Sequence, residues 1–228
     1  GNVRTEFALY VPHEALVVGI QSRVWIAPRP GPLDPAASAP WESVASDLRY
    51  TLDASFRPAS EFVFASPYVP LLTALHDYAQ PSFAPGQSYL AAAMALMERV
   101  HRDFTYEPGV TEIDTPLIDA FRLRRGVCQD FAHLMLGMLR SLGLPARYVS
   151  GYLYTEQTEH VASHAWAEIW LGDGWWGLDI ANGVEAGHQH LKLAVGMDYL
   201  EACPVRGIRH GGGGEVLEAR AIVRMMDQ

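Results

Sequence analysis

Cysteine, positive charge and long apolar runs are all scarce in this 228-residue chain. Its two cysteines, Cys128 and Cys203, are too few for a disulfide framework, and neither sits in the Cys-x-x-Cys spacing of a zinc or redox site. Such usage fits a reducing compartment, so a cytoplasmic location is expected. Lys and Arg total 17 against 26 Asp and Glu, a formal charge of −9. That balance offers no basic field for a phosphate backbone or an anionic bilayer, so neither nucleic acid nor membrane is an expected partner. No apolar run approaches the roughly 18 residues of a membrane span. What is present is the composition of a folded globular protein: 49% apolar residues, 19% charged, with 8 Phe, 10 Tyr and 6 Trp. The length suits one or two domains.

Glu14 to Ala27 alternates strictly, with Leu16, Val18, Ile20, Val24 and Ile26 on one parity, the pattern of a half-buried strand. Residues 5–11 read as its hairpin partner. Pro28, Pro30, Pro32, Pro35 and Pro40 then crowd a stretch in which neither a helix nor an inner strand persists. This places a boundary near residue 40, between the end of an N-terminal β unit (1–40, with its linker) and a main domain (41–228). Two strands alone are marginal, so the β unit is expected to pair with the main domain or with chain outside this sequence. A homo-oligomer is one form that such an association takes.

Helical spacing marks Tyr68 to Gln80, Gln87 to Asp103, Pro116 to Leu123 and Cys128 to Leu142, the last stopped by Gly143 and Pro145. Cys128 thus falls in a first helical turn, shortly after Gly126. Unpaired N–H groups and the positive end of the helix dipole stabilise a thiolate there, and the thiolate is the nucleophilic form. Beyond Pro145, strands are expected at Arg147 to Thr155, Ser163 to Leu171 and Trp175 to Ile180. The last two form a hairpin around Gly172-Asp173-Gly174. If Leu171 faces Gly174 across a two-residue turn, Trp166 lies opposite Asp179, and Asp179 is a diagonal neighbour of His164 on one sheet face. A three-residue loop would put them on opposite faces.

The chain therefore offers a thiol, an imidazole and a carboxylate in the order Cys128, His164, Asp179. In nucleophilic catalysis the imidazole holds the thiol proton and later gives it to the leaving amine, while the carboxylate fixes the tautomer and supports the imidazolium charge. The Cys128 backbone N–H would donate to the oxyanion.

Arg124-Arg125-Gly126-Val127-Cys128-Gln129-Asp130-Phe131-Ala132-His133 and Ser141-Leu142-Gly143-Leu144-Pro145-Ala146-Arg147-Tyr148-Val149 resemble the bacterial transglutaminase-like family. Ser163-His164-Ala165-Trp166 and the Gly174 to Asp179 segment resemble its second and third blocks, Phe104 to Gly109 a segment before the nucleophile, and Asp198-Tyr199 to Gly207 one after the triad. Residues 1–27 are similar to the end of the family's N-terminal β domain. The resemblance implies an α+β, papain-like core, with the Cys helix packed on an antiparallel sheet that carries His and Asp. It also implies no metal or organic cofactor, and it carries the triad onto Cys128, His164 and Asp179. The chain departs at Ile180-Ala181-Asn182-Gly183, where the family has Pro-Thr-Asn-Gly, and at Met197, where it has Arg.

The expected reaction is acyl transfer through a thioester, with hydrolysis of peptide or related amide bonds preferred because water is always at hand. Transglutamination or deamidation is the alternative, and a non-catalytic binding module keeping the fold is the rival from another class. Other residues are read blandly. His188-Gln189-His190 is a solvated loop rather than a metal site, and His133 is a packed or capping histidine. Trp166, Trp170, Trp175 and Trp176 are cross-strand packing, Gly211 to Gly214 is a loop before a last strand (Glu215 to Met226), and Cys203 is structural.

Overall fold

The computed structural model describes residues 2–26, 34–49, 57–156, 160–208, 210, 211, 216 and 218–225. In chain order these contain α1 (Trp41–Asp47), α2 (Thr73–Ala79), α3 (Tyr89–Asp103), β1 (Thr105–Tyr106), α4 (Leu117–Leu123), β2 (Arg125–Gly126) and α5 (Cys128–Ser141). There follow β3 (Ala146–Leu153), β4 (His160–Val161), β5 (Ser163–Trp170), β6 (Trp175–Asp179), β7 (Val184–Glu185), β8 (His190–Gly196), α6 (Tyr199–Ala202) and β9 (Ala221–Ile222). Five strands form one antiparallel sheet in the order β7-β6-β5-β3-β8.

The helix α5 crosses this sheet because its apolar residues recur at three and four. Phe131, Leu134, Met135, Met138 and Leu139 are all buried, packing with Tyr148, Ala165, Ala167, Ile169 and Leu178 of the sheet. Full burial of one such side chain contributes about 1.5–3 kcal/mol, so this seam is the main support of the domain. Two of the buried polar side chains on α5 pin it to its surroundings. Arg140 gives hydrogen bonds to the carbonyls of Ala146 (2.7 and 3.0 Å) and Met197 (2.6 Å), tying α5 to the start of β3 and to the residue after β8. His133 accepts the N–H of Tyr199 (3.2 Å) and stacks on Tyr68; burial, the leading cause, pushes it down to about 4. It is the packed histidine that the spacing suggests.

The hairpin register is the one set by a two-residue turn. Ala167 pairs with Leu178 and Trp170 with Trp175, and the Leu171 N–H donates to the Gly174 carbonyl at 2.9 Å. Trp170 and Trp175 meet edge to face at 5.4 Å, a cross-strand contact.

Three expectations change. Residues 5–26 form neither a strand nor a hairpin, and Leu16, Val18, Ile20, Val24 and Ile26 remain exposed by 38% to 81%. A strand needs a neighbour to hold its backbone groups, and among the described residues this segment has none; only the amide of Asn2 reaches the sheet edge, bonding both backbone groups of Val195 (2.6 and 2.9 Å). Secondly, residues 188–190 are not simply a solvated loop, since His190 opens β8 and its side chain is 7% exposed. Finally, of the strand expected over Glu215 to Met226, Ala221–Ile222 pairs with β4, while residues 215, 217 and 226 lie outside the described residues. Residues 27–33 of the proline-rich stretch and 212–214 of the glycine loop do so as well.

Candidate active site

The first turn of α5 is built around a glycine and an acid. A Cβ on Gly126 would lie 2.5–2.8 Å from the Asp130 side chain, so only glycine leaves room for that carboxylate. Asp130 Oδ2 accepts the Val127 N–H (2.8 Å) and the Thr111 hydroxyl (2.7 Å), which closes the turn immediately before Cys128. The parallel bridge between β1 and β2 sets Tyr106 beside Gly126. Burial chiefly, and then the nearby Cys128 and Asp179, push the Tyr106 phenol up. The segment Phe104 to Gly109 resembles one that precedes the family's nucleophile, but no periodicity singles out Tyr106 within it.

On the hairpin, alternation sends Ala165, Ala167 and Ile169 into the helical core, and leaves His164 and Trp166 on the other parity with Asp179. His164 Nε2 donates to Asp179 Oδ2 at 2.7 Å. Cys128 is near enough to the same side chain to act on its protonation. Burial alone would lower the imidazole; hydrogen bonds to Asp179 and Cys128, and their charges, outweigh it and raise it to about 9. Cys128 itself is half-buried and free, as is Cys203, whose thiol lies 3.0 Å from the Val205 carbonyl.

Asp179 is fully buried and heavily solvated by protein. Besides His164, its Oδ2 accepts Asn182 Nδ2 (2.7 Å) and His190 Nε2 (3.0 Å), while Oδ1 accepts the Asn182 N–H (3.2 Å). Burial opposes ionisation, but these donors prevail and hold the carboxyl well below the usual carboxylate range. Sequence reasoning missed His190, because its eleven-residue separation from Asp179 carries no periodic signal. Thr111, Glu112, Ile113, Asp130 and the two sequence neighbours of Cys128, Val127 and Gln129, line a cavity of about 130 Å³.

A buried His–carboxylate pair on a hairpin, facing a thiol at the start of a core helix, defines the papain-like thiol acyl-transfer class. Residues 76–180 match the profile of the Transglutaminase-like superfamily. An uncharacterized protein of Mycobacterium leprae is 35% identical over 96% of this chain and 76% of its own length. One from Mycobacterium tuberculosis strain H37Rv is 34% identical over 91% and 69%. A protein-glutamine gamma-glutamyltransferase of Pseudomonas aeruginosa is 30% identical over 63% of this chain and 23% of its own. Among solved structures, a candidate cysteine protease from Cytophaga hutchinsonii superposes with a TM-score of 0.58 at 28% identity, over 67% of this chain and 51% of that one. The chain belongs to the transglutaminase-like superfamily.

Proposed function

We propose that this protein is a cysteine hydrolase of peptide or related amide bonds, working through a Cys128-His164-Asp179 triad. The observation that carries the reading is the setting of one imidazole: its Nε2 lies on a fully buried carboxylate at 2.7 Å, with Cys128 among the groups that raise it. An imidazole held up to about 9 keeps its proton at neutral pH, so a positive charge stands ready to stabilise the thiolate that attacks.

The thiolate sulfur attacks the amide carbonyl carbon, and the carbonyl π electrons move to oxygen. The resulting oxyanion is met by the Cys128 N–H, one of the helix's unpaired first-turn donors. Collapse expels the amine, which takes its proton from His164. Water then gives a proton to His164 and attacks the thioester, releasing the acid and restoring the thiol pair. Because Val127 and Gln129 flank the nucleophile and also line the cavity, that cavity is the place for a substrate side chain next to the scissile bond. An amine that replaces water in the second half yields a crosslink instead, and the Pseudomonas relative keeps that outcome in the test.

Peptide libraries incubated with the protein, with and without a primary amine, read both outcomes by mass spectrometry. New termini or loss of ammonia support hydrolysis, and amine adducts support transfer. Slow iodoacetamide labelling of Cys128 that is indifferent to His164→Ala would return the chain to the non-catalytic binding class.

A further inference from the structure

We propose that His190 is a positioning residue for this reaction: a second imidazole that holds the Asp179 carboxylate in the orientation His164 requires. The proposal rests on the triad reading above. His190 approaches from β8, on the far side of the sheet order from the hairpin that carries His164 and Asp179, and bonds the very oxygen that His164 uses.

Its tautomer is fixed by the backbone. The Gly187 N–H donates to His190 Nδ1 at 3.0 Å. A backbone amide can only donate, so Nδ1 accepts, and the ring proton sits on Nε2, facing the carboxylate. The ring plane is fixed as well, by edge-to-face packing on Trp166 at 5.2 Å and 82°. Trp166 is itself 2% exposed and stands two residues after His164. His190 therefore ties the acid of the site to the strand that carries its base.

The same polarity decides against a cation cage. His164, Asp179 and His190 do bring three ligand atoms within 4.8 Å of one another. A metal-binding imidazole gives its second N–H to an acceptor, whereas the second nitrogen of His190 meets a donor. The cluster is a set of donors around a carboxylate.

A shared carboxylate is restrained in two ways. It cannot rotate away from His164, and part of its charge is answered by His190 and Asn182, which limits how strongly it holds the His164 proton. The groups facing His164 are Asp179 from β6, Cys128 from α5 and His190 from β8, and Tyr106 of β1 faces Cys128 and Asp179. Replacing His190 by leucine keeps apolar packing and removes the donor. The pH at which His164 loses its proton, followed by its ¹⁵N shifts, should then move up by roughly one unit, since Asp179 gains unshared charge. Turnover of a cleaved library peptide should fall about tenfold through kcat, as for a misoriented acid–base group. His190→Gln, whose amide can donate to the same oxygen, should restore both to near wild type.

The His164 titration profile, peptide turnover and urea midpoint of the three proteins test this together. An unchanged profile in His190→Leu, or a Gln variant that folds normally and behaves like Leu, overturns the proposal. If the Leu variant does not fold, ¹⁵N spectra of the histidine-labelled wild type decide: the Nε2–H tautomer for the signal lost in His190→Gln upholds it, and Nδ1–H overturns it. Failure of the triad reading looks different, because His164→Ala would then leave wild-type labelling unaltered.

Discussion

Asp179→Asn probes the site with almost no change of shape. In the wild-type protein, hydrogen bonds and charge from Asp179 and Cys128 overcome burial and hold His164 at about 9. The substitution removes the charge and turns an acceptor of several donors into a group with one oxygen and an NH₂. Only Cys128 then opposes burial, and His164 falls toward its ordinary 6.5. A change of up to about 2.5 units corresponds to roughly 3 kcal/mol of lost ion-pair stabilisation, since each unit is worth 1.36 kcal/mol. At pH 7.5 the imidazolium fraction drops from about 97% toward about 10%. With less positive charge on the imidazole, the Cys128 thiolate is less favoured. The assay is the ultraviolet thiolate absorbance, taken as a difference against Cys128→Ser so that Cys203 cancels, together with iodoacetamide labelling across pH. Labelling near neutrality should slow by about tenfold after allowing for the greater nucleophilicity of a more basic thiolate. A variant that keeps the wild-type thiolate profile would refute the reasoning, because the imidazole would then owe its proton to something other than this carboxylate.

Two further outcomes follow from the same geometry. His164 is raised in the folded protein, so its contribution to stability is complete below about pH 6.5 and is lost as pH climbs through about 9; urea midpoints should show a decline of up to about 3 kcal/mol over that window, and His164→Gln should lack it. A methyl group on Gly151 would stand 2.1 Å from the Leu191 carbonyl oxygen and 2.8 Å from the Trp166 ring, so Gly151→Ala must part β3 from β8, and chemical denaturation should show a loss of about 3 kcal/mol or more.

Local chemistry determined much of this protein. The three- and four-residue spacing from Phe131 to Leu139, with a glycine before it and Gly143 after, specifies α5 and puts Cys128 in its first turn. Strict alternation specifies the two hairpin strands, and a two-residue turn then puts His164 and Asp179 on one face; a three-residue loop would have parted them, so the turn itself was settled by the structure. What lay beyond the sequence are the contacts between segments that share no period. His190 reaches Asp179 only because β8 pairs with β3 on the sheet's outer edge, and Tyr106 reaches the thiol only through the short bridge between β1 and β2. The alternating segment from Glu14 onward teaches the converse: a strand pattern states which face a strand would bury, but the ladder forms only where a neighbouring chain supplies its hydrogen bonds, and that neighbour is a property of tertiary structure.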